Sequence, residues 1–143
     1  MSNPLMTKLL KITPQRWLII LSLLIITPLG ILSKYYSGLG EKWVHDYSGA
    51  ILYEIFWCLL IFFIIPNRQA ITRITLGVFS VTCAIEFLQL WQTPLLAPIR
   101  ASLIGKFLLG TTFVWLDFLY YAIGSVLGWL WLRQISQFRK LIR

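Results

Sequence analysis

Residues 47–67 read YSGAILYEIFWCLLIFFIIPN, an apolar run with a single charged group, Glu54. At 1.5 Å per residue the run is long enough to cross about 30 Å of hydrocarbon. An acid inside such a run costs roughly 2.5–3.5 kcal/mol to insert. The stretch therefore reads as a membrane helix that keeps a carboxyl despite that cost, and it sets the pattern for the rest of the chain. Residues 17–33 carry no charge, 74–99 carry only Glu86, and 107–132 carry only Asp117. The predicted fold is all-α, a polytopic transmembrane bundle of four helices over about 17–33, 46–66, 74–93 and 111–132, forming one domain from residue 1 to 143.

The composition agrees. Of the 143 residues 58% are hydrophobic and only 13% are charged, which excludes a water-soluble globule. The net charge of +8 is read against a membrane, so no nucleic-acid partner is expected. Cys58 and Cys83 lie inside apolar runs without metal-ligand spacing, and no zinc site or disulfide framework is expected. The basic N-terminal segment and the first apolar run resemble a secretory signal. That run ends Thr27-Pro28-Leu29-Gly30 without a small-residue cleavage site, so it reads as a retained helix.

Counting basic residues on alternate sides orients the bundle, because Lys and Arg are held in the cytoplasm. Lys8, Lys11, Arg16, Arg68, Arg73, Arg133, Arg139, Lys140 and Arg143 fall on one side, against Lys34, Lys42, Arg100 and Lys106 on the other. Both termini are expected in the cytoplasm of a bacterial inner-membrane protein. Trp43, Trp91 and Trp115 then lie near the outer ends of their helices, and Trp17, Trp129 and Trp131 near the inner ends. The third connection is unusually apolar. Ile99, Leu103 and Phe107 repeat every four residues behind Pro98, which predicts a short interfacial helix between spans three and four; an irregular loop is the alternative.

Three of the five acids sit inside the apolar blocks, where an ionisable side chain marks function by default. Glu54 lies about 12 Å, Glu86 about 10 Å and Asp117 about 9 Å below the outer face at 1.5 Å per residue. They are expected to share one layer, with Tyr53, Gln89 and Tyr121 beside them. Ionised together they repel, so protonation, a base or a cation must balance them. Arg100 and Lys106 are the nearest bases, and Arg100 is expected to pair with Glu86 or Asp117. A closed network that only fixes helix packing is the alternative. Asp117, Tyr121, Gly124 and Gly128 share one helical face, and Gly124-x-x-x-Gly128 is a close-packing motif, within the chain or between protomers. His45 and Asp46 begin the second span as a solvated helix start or a proton relay. With one His, no metal site is expected, nor any cofactor, and no catalytic motif is present.

Glu86-x-x-Gln89, Arg100 and Asp117-x-x-x-Tyr121-x-x-Gly124-x-x-x-Gly128 resemble the second half of the VanZ-like proteins. Asp46-Tyr47, Glu86-Phe87-x-Gln89 and Phe113-x-Trp115-x-Asp117 are closer to a related family of short bacterial integral membrane proteins of unknown function. The resemblance runs from about Leu29 to Gly128. It implies a cell-envelope membrane protein and points toward lipid-linked intermediates or anionic headgroups. Tyr121 stands where the VanZ pattern has Asn, and Asp46 lacks the following Lys and spaced His, so the glycopeptide-resistance phenotype is not transferred.

Three functions follow. In the first, a non-enzymatic protein holds an anionic lipid or polyprenyl phosphate on Arg100, with Glu86, Gln89 and Asp117 orienting it; an Arg fork suits phosphate. In the second, the chain is an accessory subunit of a membrane complex, or a homo-oligomer, docking through the Gly124/Gly128 face. In the third, a transporter uses Glu54, Glu86 and Asp117 as a proton or cation site. Enzymatic activity has the least support.

Overall fold

A computed structural model of the chain describes residues 13–91, 94–109 and 113–141. Lys8, Lys11, Arg143 and the expected span limits at residues 93 and 111 lie outside the described residues, as does the side chain of Phe107.

Helix α1, Pro14–Ser33, starts on Thr13, whose hydroxyl accepts from the Arg16 N–H, and has Pro14 at its first position, where no N–H is needed. Its buried residues, Gln15, Ile19, Ser22, Ile26 and Ser33, are spaced four, three, four and seven apart and form one seam. Pro28 lies on the opposite, exposed side. Helix α2 runs Glu41–Ile64 with a π-helical turn at Val44–Ser48. A 3₁₀ turn, Arg68–Ala70, leads into α3, Ile71–Leu90. The short helices α4, Ala97–Ala101, and α5, Leu103–Leu109, precede the long α6, Leu116–Leu141.

Four helices thus form the bundle, as the sequence predicts, and α1, α2 and α3 are each long and apolar enough to cross a membrane. α6 is the longest but carries Asp117, two tyrosines and two glycines in its first half. Contacts fix the directions. Gly124 and Gly128 of α6 meet Glu54 and Cys58 of α2 in the same order, so these helices run parallel. Glu86 lies by Tyr121 while Thr72 lies by Trp129, so α3 runs antiparallel to α6. Lys34 at the end of α1 reaches His45 near the start of α2, and Arg16 sits over Phe63 near its end. Residues 13 and 141 therefore lie at the same end of the bundle. The end where α2 and α6 begin is the one that the basic-residue count expects outside, and the two ends are named outer and inner on that expectation.

The interior divides by depth. Toward the inner end it is mainly apolar, with Ile55, Leu59 and Phe62 of α2, Ile71 and Ile74 of α3, and Leu132 and Ile135 of α6, alongside buried Gln15, Thr75 and Ser136. Toward the outer end the buried residues are Glu54, Thr82, Glu86, Gln89 and Ser125. On α3, Thr75, Thr82, Glu86 and Gln89 follow offsets of seven, four and three, so one face of that helix is polar and turned inward. Its exposed residues, such as Leu76, Val81, Phe87 and Leu90, are apolar and meet lipid. This reverses the arrangement of a water-soluble helix and commits the outer half of the bundle to a polar interior.

The expected interfacial helix is broken in two. Ser102 takes an extended conformation between α4 and α5, its hydroxyl donates to the Ile99 carbonyl at 2.7 Å, and it accepts from the Gly105 N–H at 3.0 Å. Gly105 is required, because a Cβ there would collide with the Ile99 carbonyl. Ile99, Leu103 and Ile104 stay exposed, as suits a segment lying in the interface.

Candidate functional site

The site is built on the inward polar face of α3. Glu86 is 1% exposed, and both its oxygens are served from the start of α6. Oε1 accepts from the Val114 N–H at 3.0 Å and Oε2 from the Tyr121 hydroxyl at 3.2 Å. Val114 lies just ahead of α6, where the chain has N–H groups without helical partners and the helix dipole is positive; a buried carboxyl fits both conditions. Asp117, half-buried in the first turn of α6, lies near enough to Glu86 for the two carboxyls to act on each other electrostatically. Two carboxyls can share a hydrogen bond only with a proton between them.

Glu54 belongs to the same seam but sits one turn deeper along α6. It is fully buried, and its Oε1 accepts from the Ser125 hydroxyl at 2.8 Å, while its Oε2 has no hydrogen-bond partner. The Thr82 hydroxyl lies within reach of the carboxyl but donates its own proton to the Phe79 carbonyl at 2.9 Å. The expected single layer of three acids is therefore corrected to two levels. Glu86 and Asp117 share the upper one with Tyr121, and Glu54 occupies the lower with Ser125 and Thr82. Equal depth estimates missed this because a helix's register against its neighbour is set by side-chain packing rather than by its length.

The glycines create the lower level. A Cβ on Gly124 would stand 2.8 Å from both the Glu54 Cβ and the Ile51 carbonyl oxygen, and one on Gly128 would stand 3.3 Å from the Cys58 Cβ and Sγ. Gly124 and Gly128 thus seat α6 on α2 of the same chain. Within the chain this face is covered by α2.

Arg100 is not where the sequence put it. One guanidinium nitrogen, Nη2, donates to the Leu88 carbonyl at 2.8 Å and the Trp91 carbonyl at 3.4 Å, closing the C-terminal end of α3, where the dipole favours a cation. The expected pairing with Glu86 or Asp117 is replaced by this cap, and Lys106 stays exposed. Gln89, one turn from Glu86 on α3, is buried. The base that approaches the acids is Lys34. Its ammonium lies against Gly49, donates to the His45 carbonyl at 3.4 Å, and acts electrostatically on Asp117, as does exposed Asp46. His45 is held by its Nε2 donating to the Tyr36 carbonyl at 2.5 Å, and Tyr47 stacks on Tyr120, which also accepts from the Trp43 indole. These contacts form the mouth of the seam.

Lys34, Thr82, Ser125 and the Val114 N–H were missed by sequence reasoning. Thr82 and Ser125 had a legible signal, since they lie four residues before Glu86 and eight after Asp117, on the faces those acids define. A snorkelling lysine and a backbone N–H carry no such mark. Among the described residues no three His, Cys, Asp or Glu side chains gather as a metal site requires.

The fold and seam define a class, the multi-pass α-helical membrane proteins with an ionisable interior. Within that class the chain belongs to the family described as protein of unknown function (DUF2809), whose model matches residues 39–125, more than half of the chain. The match takes in every acid and hydroxyl of the seam and the Arg100 cap. No curated protein and no solved structure matches the chain.

Proposed function

We propose that this protein takes up and releases protons at the Glu86–Asp117 pair from the outer side of the membrane, as the binding step of a transport or proton-responsive activity. The observation that carries the reading is that buried Glu86 and half-buried Asp117 come together at the start of α6, with Val114 N–H and the Tyr121 hydroxyl donating to Glu86. One acid is fully sealed and supplied with two donors, the other is half-open to a mouth lined by Lys34 and Asp46. Sealed acids without a path to water serve packing alone; here Asp117 supplies the path. Buried Leu59, Phe62, Leu132 and Ile135 pack the inner end, which supports access from the other end. The test is proton flux into vesicles carrying the purified protein, driven by an imposed pH difference. Glu86→Gln and Asp117→Asn abolish it if the reading is right, and flux equal to the unsubstituted protein in both variants refutes it.

A second reading rests on Arg100, whose Nε is buried without a hydrogen-bond partner beside the exposed apolar faces of α4 and α5. An anionic headgroup, as the VanZ resemblance suggests, supplies an acceptor there, with the acids taking no part. Mass spectrometry of gently purified protein detects it: an anionic lipid is enriched in the unsubstituted protein and lost in Arg100→Ala. Equal lipid profiles refute this reading and leave the first untouched.

A further inference from the structure

The lower level of the seam holds one atom that the outer pair leaves unexplained. Glu54 is 0% exposed, Ser125 supplies a donor to Oε1, and Oε2 faces no donor at all. An ionised carboxylate buried in this way lacks the solvation or pairing that such a charge demands. No base relieves it. The titratable groups around it are Tyr53 and Cys58 of α2 and Cys83 of α3, with Glu86, Asp117 and Tyr121 one turn nearer the outer end; α1 has none between Arg16 and Lys34. Every one of these is neutral or acidic.

We infer that Glu54 is a resident proton site, distinct from the outer pair, in which the buried Oε2, which has no donor among the described residues, carries the proton while Oε1 accepts from Ser125. The Thr82 proton is already directed at the Phe79 carbonyl, so the Thr82 oxygen offers Glu54 a lone pair and not a proton. A proton on Oε2 removes the unsolvated charge, beside Ser125 donating to Oε1 and Thr82 donating to the Phe79 carbonyl, and leaves the Thr82 oxygen as the nearby acceptor to which it can turn. Removing it leaves an acceptor facing an acceptor. The site deepens the proton-uptake reading by giving the seam a second, inner position for the proton, and it rests on that reading only for its role, not for its existence.

Infrared spectroscopy of the protein in vesicles reads the site directly, through the carbonyl stretch of a protonated carboxyl. The expected result is a band at neutral pH that Glu54→Gln removes, that Thr82→Val displaces by deleting the acceptor, and that Glu86→Gln leaves in place. Gln fits the same hydrogen bonds, its carbonyl accepting from Ser125 and its amide donating to Thr82, so Glu54→Gln folds with an unchanged melting temperature. Absence of a Glu54-dependent band overturns the proposal. So does sodium binding to the unsubstituted protein that Glu54→Gln abolishes, because the carboxyl is then a cation ligand. The two readings fail separately: loss of flux in the outer-pair variants tests uptake, and the infrared band tests Glu54 whether or not there is flux.

Discussion

Substituting Ala for Gly124 tests how the seam is assembled. The added methyl meets the Glu54 Cβ and the Ile51 carbonyl oxygen at 2.8 Å, so α6 must retreat by about 0.6 Å to reach an ordinary contact near 3.4 Å. Neither obstacle is the flexible end of a side chain. Overpacking of this kind costs about 1–3 kcal/mol. The same retreat stretches the Ser125–Glu54 bond from 2.8 Å toward the limit of hydrogen bonding, a loss of about 1 kcal/mol for a buried pair. Ala regains about 1 kcal/mol of helix propensity over Gly. The net expectation is a loss of about 1–3 kcal/mol. Gly128→Ala is the internal control, since its methyl meets Cys58 at 3.3 Å and needs almost no movement; its propensity gain leaves it within about 0.5 kcal/mol of the unsubstituted protein or slightly above it. Denaturant unfolding in detergent micelles, followed by tryptophan fluorescence, measures both. Equal stability of the two variants refutes the α2–α6 register on which the two-level seam depends.

Three further perturbations follow from the same contacts. Arg100→Met removes the cap on α3 and costs about 1.5–3 kcal/mol for a charged hydrogen bond, localised so that amide exchange accelerates in residues 88–91 and in α4. Trp131→Phe loses the 3.0 Å indole bond to Ser22 that ties α6 to α1, for about 1 kcal/mol of global stability in the same unfolding assay. Gly105→Ala forces a methyl into the Ile99 carbonyl and opens the α4–α5 turn, which limited proteolysis registers as new cleavage between residues 99 and 106 while the bundle stays intact.

The bundle was legible because charge marks membrane depth so plainly. Charge-poor runs located all four long helices, with ends displaced by up to five residues and by nine at the end of α6; caps decide some boundaries, as at Thr13 and Pro14. The site was legible in its members and not in its wiring. Tyr121 was placed beside Asp117 by helical spacing and both at the depth of Glu86, and the structure bonds the Tyr121 hydroxyl to Glu86. Arg100 went astray because a sequence shows a base near acids but not the bare carbonyls at the end of α3, which sit closer to it. Lys34 was overlooked because its role depends on Gly49 leaving room on a different helix. The two levels of acid depend on Gly124, whose motif spacing indicates close approach without naming the neighbour.

The central claim is that the Glu86–Asp117 pair exchanges protons with the outer aqueous phase. A pH jump on the purified protein in weakly buffered solution, with an indicator dye counting protons bound per chain, measures this directly. The account predicts proton binding by the unsubstituted protein that falls in Asp117→Asn and is restored in Gly128→Ala, where the seam is intact. Proton binding of the same extent in Asp117→Asn and the double variant Glu86→Gln/Asp117→Asn as in the unsubstituted protein contradicts it.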